Sequence, residues 1–311
     1  MSPADAAARV RARAADLDNR LRQRLPRPVY QNVVARYHDV RRLTGTGAGR
    51  GRALPEFVII GAAKAGTTSL YGWLSEHPCV APATQKEVHY FDYNHFRGVD
   101  WYRAHFPTTR ELGAMSRWAE VPCVTGEASP SYISHQWAPE RLAKLLPSAR
   151  LIVMLRNPVE RAYSQFQMSR RENEEPLESF AQAAAAEEDR LAGERERCLA
   201  DPRYNSWAIG CWSYLMRSRY AEQLERWFEL FNREQFHVVT LEDIAEDPQR
   251  VLDGVHEFLG LPAHRYTDLP HLHAAPAYEG IGREAREALV EYFQPHNERL
   301  YELLGVDFGW S

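Results

Sequence analysis

Cysteine is scarce: four in 311 residues, Cys79, Cys123, Cys198 and Cys211, widely spaced and with no CxxC pair. That excludes the usual zinc-site spacings and argues against a disulfide framework, so reduced thiols and a cytoplasmic location are the simplest expectation. Long apolar runs are missing as well. The longest, Phe57 to Ala63, falls far short of the roughly 20 residues that cross a bilayer, and the first residues lack the apolar core of a secretory signal. Charge of one sign is not in excess either. A net charge of −4 gives no global pull toward nucleic acid or acidic membranes, so any anion site must be local. Finally, no glycine is followed by Lys and then Ser or Thr, so the Walker A phosphate loop of an NTPase is absent.

What remains is ordinary for a globular chain: 44% hydrophobic and 26% charged residues, enough for one large domain or two small ones. Eight Trp and fifteen Tyr supply side chains for stacking on a base or sugar. In residues 1–25, Val10, Ala14, Leu17, Leu21 and Leu25 form one apolar stripe among six arginines, which predicts a helix. Such a basic helix suits a weak contact with a membrane surface or a partner. Packing on the domain is the plainer reading. A glycine-rich linker follows at 44–53, so we expect residues 1–53 as a helical extension and linker, and 54–311 as the main domain.

Within that domain, short apolar runs alternate with helical patterns. Strands are expected at 57–61, 88–91, 124–127, 150–155 and 236–241, and helices at 67–77, 138–146, 158–171, 177–198, 214–231, 248–259 and 283–304. This alternation predicts an α/β fold, a central parallel sheet flanked by helices. Ligands of such sheets lie beyond the carboxyl ends of the strands.

The first run, Phe57-Val58-Ile59-Ile60, ends in Gly61-Ala62-Ala63-Lys64-Ala65-Gly66-Thr67-Thr68-Ser69, with Leu70, Trp73 and Leu74 marking one face of a following helix. A strand leading through small residues into a helix N-terminus is an anion site, since first-turn N–H groups lack intrahelical partners and carry the positive dipole end. Thr67 and Thr68 add hydroxyl donors, and Lys64 adds charge. The plain alternative is a helix cap beside a loop lysine. A second such junction follows Arg150–Leu155: Arg156 ends the strand, and Asn157-Pro158 suits a helix cap and first turn. Arg156 has the planar fork that fits a phosphate. Ser164 lies about 10 Å further along that helix; spacing alone would not single it out. Two anion sites on separate strands suit a ligand with phosphates at both ends.

Seven segments then occur in order: KAGTTSL (64–70), KEVHYFD (86–92), RGVDWYRAHFP (97–107), GEASPSYI (126–133), RLIVMLRNPVERAYSQF (150–166), RYAEQLERWF (219–228) and HNERLYELLGVDFGW (296–310). Together they resemble the sulfotransferases of the heparan-sulfate type and their bacterial relatives, which use 3′-phosphoadenosine 5′-phosphosulfate (PAPS). The resemblance covers about residues 54–311. It implies a single P-loop-like α/β domain and PAPS as co-substrate; no metal is expected, because the sequence shows no cluster of metal ligands. It also implies that Lys64, Ala65, Gly66, Thr67, Thr68 and Ser69 hold the 5′-phosphosulfate, while Arg156 and Ser164 hold the 3′-phosphate. Matching KEVHYFD puts the general base at Glu87, with Lys64 stabilising the leaving group. If this stretch is a strand, Glu87 and His89 share a face, so His89 either orients Glu87 or is itself the base. A solvated strand-edge carboxylate would be the reading without the resemblance.

Two departures stand out. Ala128 occupies the position of an acceptor-engaging lysine in the animal heparan-sulfate members, and residues 271–282 lack their clear Lys-Gly-Arg run, with Arg283 just beyond. The acceptor is therefore left as a glycan, lipid or small metabolite with a hydroxyl or amine. Segment 177–204, rich in Ala, Glu and Arg, is expected to cover the acceptor cleft or to be a solvated helix. A kinase of related fold and a non-catalytic nucleotide-binding protein are the competing functions.

Overall fold

The computed structural model describes residues 49, 51–266, 269 and 281–310. Gly51–Ser311 forms one compact unit, separate from Met1–Arg50. The expected N-terminal helix and most of the 271–282 loop lie outside the described residues.

In chain order the elements are β1 (Phe57–Gly61), α1 (Thr67–Glu76), β2 (Val80–Pro82), α2 (Val99–Arg103), α3 (Thr109–Ala119), β3 (Val124–Ala128), α4 (Ala138–Leu145), β4 (Arg150–Leu155) and α5 (Pro158–Arg171). They continue through α6 (Phe180–Ala185), α7 (Glu187–Leu191), α8 (Glu194–Ala200), α9 (Trp207–Trp212), α10 (Tyr220–Phe228), β5 (Phe236–Thr240), α11 (Leu241–Glu246), α12 (Pro248–Leu259) and α13 (Arg283–Leu304). The five strands form one parallel sheet in the order β2-β3-β1-β4-β5. All five residues of β1 and five of six in β4 are buried. Covering a parallel sheet on both faces is why these strands read as unbroken apolar runs. Each buried Ile or Leu contributes about 1.5–3 kcal/mol of transfer free energy.

Helix α1 packs against β1, β2 and β3, and α11 and α12 pack against β5. Trp73, Trp227, Phe57 and Phe91 are among the largest fully buried side chains. A second apolar cluster of Val159, Phe166, Phe180, Tyr214 and Phe293 joins α5, α6 and α13 beyond the sheet. Asn157 caps α5 through Oδ1, which accepts from the amides of Val159 (3.0 Å) and Glu160 (3.4 Å), with Pro158 in the first turn, as the sequence indicated.

Three expectations need correction. The sheet's fifth strand is Val80–Pro82 and not 88–91, which is a turn. Segment 177–198 is not one helix but α6, α7 and the start of α8, interrupted at Ala186 and at Ala192-Gly193, where Gly193 is left-handed (φ 74°). The helix expected at 214–231 is the shorter α10, preceded by a tight 3₁₀ turn at Met216–Ser218. Helices α2, α3, α9 and α11 were not anticipated. In α3, Thr108 and Glu111 form a reciprocal capping box.

Candidate active site

At the carboxyl end of β1 the chain turns through Ala62–Gly66 into α1. Gly66, at the helix N-cap, has φ 87°, and an added Cβ would stand 2.8 Å from Leu241 Cδ1. Both the left-handed backbone and the close packing call for glycine here. The amides of Ser69 and Leu70 bond back to Gly66 O (3.0 and 3.2 Å). Among the described residues, no acceptor takes the amides of Gly66, Thr67 or Thr68, which leaves them to a ligand. Ala65, Thr67 and Ser69 are buried and Thr68 is partly exposed.

Lys64 is itself left-handed (φ 74°), and its Nζ lies 3.6 Å from Met168 Sδ on α5. Burial, together with the charges of Arg171, Arg156 and Arg161 and only partly offset by Glu172, brings its pKa down to about 8. Burial is the larger cause of the depression, and the arginines gathered nearby add to it. Arg161 contributes although fully buried. Its hydrogen bonds run to neutral acceptors: Ser218 Oγ (2.5 Å), Gln165 Oε1 (2.8 Å) and Tyr214 O (2.6 Å). Arg156 follows β4, and its Nη1 donates to Lys64 O (3.3 Å), joining the two expected anion sites. Its Nη2 stands 3.7 Å from Glu160, a loose pairing in a half-exposed setting. Ser164 is buried on α5. Among the described residues, no hydrogen bond links it to Arg156 or to the Lys64 loop.

On the other side of β1, Glu87 sits in a turn docked on the end of β3, its amide donating to Ala128 O (2.9 Å). Glu87 and His89 meet, but not as a strand would bring them. Both residues are left-handed (φ 62° and 56°), and the curl of the turn places His89 Nε2 3.4 Å from Glu87 Oε2. Lys86 Nζ bonds the other carboxylate oxygen. Burial would push the Glu87 carboxyl up, but Lys86 and His89 outweigh it and hold it far below the usual carboxylate range. His89 Nδ1 in turn bonds Asp92 Oδ2 (2.8 Å). Burial alone would lower the imidazole's pKa, whereas Asp92 and Glu87 raise it to about 10. At neutral pH the cluster is therefore a carboxylate, an imidazolium and a second carboxylate in a row.

Sequence reasoning missed Asp92. Its side chain is buried, accepts from Ser131 Oγ (2.5 Å) and from its neighbour's amide (Tyr93 N, 2.6 Å), and orients His89. The signal was available, since Asp92 closes the KEVHYFD stretch three residues after His89. Beyond the turn, Arg141 donates to the carbonyls of Phe91 and Asp92 (2.9 Å each) and to Pro202 O (2.7 Å). Trp137 Nε1 donates to Cys198 O (2.9 Å). Segment 177–204 thus reaches the neighbourhood of the turn. Among the described residues, no group of His, Cys, Asp or Glu side chains is arranged to hold a metal ion, and no helix is long and apolar enough to cross a membrane.

Residues 54–275 match the sulfotransferase domain family model. Over 323 aligned positions the chain is 29% identical to the membrane-associated sulfotransferase kil1 of Dictyostelium discoideum, covering 83% of this chain and 67% of that one. It is 31% identical over 285 positions to heparan sulfate glucosamine 3-O-sulfotransferase 3A1 of Mus musculus, covering 84% and 65% respectively. The chain thus spans about two thirds of the length of these relatives. Among solved structures, a sulfotransferase from Alicyclobacillus acidocaldarius superposes with a TM-score of 0.61 at 31% identity, covering 82% of this chain and 98% of the other.

Proposed function

The chain belongs to the sulfotransferase family, and from that premise we propose that it transfers a sulfuryl group from PAPS to a hydroxyl or amine of a glycan, lipid or small-metabolite acceptor. One observation carries the reading. Loops at the carboxyl ends of adjacent strands gather opposite equipment, positive charge around Lys64 and an ionised carboxylate at Glu87. Residues 64–69, with the amides of Gly66, Thr67 and Thr68 at the helix N-terminus, hold the 5′-phosphosulfate, and Arg156 and Ser164 hold the 3′-phosphate.

In the transfer, the acceptor's oxygen or nitrogen bonds to sulfur, the bond from sulfur to the 5′-phosphate oxygen breaks, and the acceptor's proton passes to Glu87. Negative charge grows on the departing bisphosphate, where Lys64 stands to stabilise it. A carboxylate held so far below its usual range is a weak base. The attacking atom, however, becomes strongly acidic as its bond to sulfur forms, so a late proton transfer to a weak base suffices. His89, as an imidazolium, has no lone pair to offer. It positions Glu87, and Asp92 positions His89.

The acceptor engages the turn on the side of segment 177–204. With Ala128 in place of a lysine, nothing at that position contributes charge to a polyanionic glycan, which favours a less anionic acceptor. Incubation with labelled PAPS and an acceptor panel tests the activity. Glu87→Gln is expected to lower turnover by about 100-fold or more, with affinity for adenosine 3′,5′-bisphosphate unchanged. A fully active Glu87→Gln removes Glu87 as the base, and a bisphosphate bound no better than AMP removes PAPS as the donor.

A further inference from the structure

Glu127, in β3, has no exposed surface, and its hydrogen-bond partners among the described residues are all hydroxyls. Tyr102 Oη (2.7 Å) and Tyr132 Oη (3.1 Å) donate to Oε1, and Ser129 Oγ (2.7 Å) donates to Oε2. A carboxylate removed from water ordinarily recruits a cation. Here, among the described residues, none pairs with it.

The far side of those hydroxyls suggests its purpose. Ser129 Oγ accepts from the amide of His89 (3.1 Å), and Tyr132 Oη accepts from the amides of Tyr90 (2.8 Å) and Phe91 (3.4 Å). A hydroxyl has one proton. Once that proton is committed to Glu127, only lone pairs face the turn, and lone pairs are what its N–H groups require. No strand ladder holds this segment, and two of its residues are in the sparsely populated left-handed region. These side-chain acceptors take three successive amides of the turn, beside the bonds from Glu87 N to Ala128 O and from Ser131 Oγ to Asp92.

We propose that Glu127 is a positioning residue for the base. Its carboxylate fixes the direction of two hydroxyls, and these hold the turn that carries Glu87, His89 and Asp92. The proposal rests on the reading of Glu87 as the base. Protonation of Glu127, or an amide in its place, would put a donor at one of its two oxygens, where either Ser129 or Tyr132 needs an acceptor. A hydroxyl that reverses in response points its proton at the very amide it should receive.

The groups acting on Glu127 are Tyr102 from α2, Ser129 and Tyr132 after β3, Tyr71 from α1, and the charge of Asp92. Burial raises its pKa more than the three hydroxyls lower it, and Asp92 adds to the rise. Glu127 therefore takes up a proton at a pH above the usual carboxylate range, well before Glu87 does. Because the folded form binds this proton more tightly than the unfolded one, acidification through that window adds to stability as far as Glu127 is concerned.

The test is Glu127→Gln in the full chain, read by turnover, bisphosphate affinity, Tm and pH profile. Turnover should fall by about 100-fold, the cost of a misplaced base, while bisphosphate affinity and Tm change little. The wild-type protein should lose turnover on its acid side with Tm steady or rising, and Glu127→Gln should lack that limb. Wild-type turnover in Glu127→Gln, or a loss matched by equal losses of affinity and Tm, overturns the proposal. If that variant does not fold, Tyr132→Phe and Ser129→Ala replace it, and wild-type turnover in both is equally fatal. An inactive Glu87→Gln beside an active Glu127→Gln refutes the positioning role alone. An active Glu87→Gln refutes the base reading on which it rests.

Discussion

Lys64 offers the sharpest test of the donor site, because its proton affinity reports the charge around it. Its pKa falls from an ordinary 10.5 to about 8 under burial and the nearby arginines. At about 1.4 kcal/mol per tenfold change in proton affinity, that is roughly 3.4 kcal/mol of penalty for holding the charge there. Lys64 is partly exposed, so solvent screening is expected to leave about half, near 1.5–2 kcal/mol. The attraction of a bound phosphate offsets that penalty, which corresponds to roughly 10- to 30-fold in affinity. Since the charged form binds the anion, affinity should hold below pH 8 and weaken above it. At about pH 9 only about one free molecule in eleven carries the charge, and, with the neutral form still binding 10- to 30-fold more weakly, affinity should be about five- to sevenfold lower than at pH 7. The ligand's phosphates, with a second pKa near 6, are dianionic across this range, and His89, at about 10, stays protonated through most of it. Calorimetric titration with adenosine 3′,5′-bisphosphate at stepped pH reads the effect. Lys64→Met keeps the contact with Met168 apolar and should bind weakly with no step. A flat wild-type profile, or the same step in Lys64→Met, refutes the reasoning.

Three further outcomes are expected. Arg156→Ala should weaken bisphosphate binding by about 1.5–3 kcal/mol, the scale of a charge-assisted hydrogen bond; calorimetry showing unchanged affinity takes Arg156 out of the site. Asp92→Asn removes the charge that does most to raise His89, so turnover should drop and its alkaline limb should move to lower pH, as a pH–rate profile would show. The same raised pKa means that His89 stabilises the fold fully below about pH 6.5, and that this is lost as pH rises through about 10; alkaline Tm loss should therefore be smaller in Asp92→Asn. Gly126→Ala would place a Cβ 2.4 Å from the buried Phe57 ring, costing about 1–3 kcal/mol and lowering Tm without altering turnover per folded molecule.

The parts of the fold that were legible in sequence are those whose signal is local. Strands β1 and β4 read directly as apolar runs because both faces are buried, and the N-terminus of α5 reads from Asn157-Pro158. Strand β2 escaped notice because three residues ending in proline form no run. Val88–Phe91 was mistaken for a strand because its apolar and aromatic residues suit one. What decides its shape is a set of hydroxyls some 40 positions away at Ser129 and Tyr132, which no window around residue 89 contains. The same non-local bonding explains the site. Glu87, His89 and Lys64 were found through their motifs. The motif around Glu127 had been noticed for its missing lysine, while the carboxylate beside it went unassigned because burial cannot be read from one residue.

The strand order has a consequence for how such a protein diversifies. The Lys64 and Arg156 loops flank one another across β1 and β4, whereas the base turn is docked on β3 and the 177–204 segment, which packs on α5, reaches its neighbourhood through Cys198 and Pro202. Inheritance can therefore rework one flank while leaving its neighbour alone. Grafting a foreign 177–204 segment here should change which molecules are marked, while the currency of the marking stays the same.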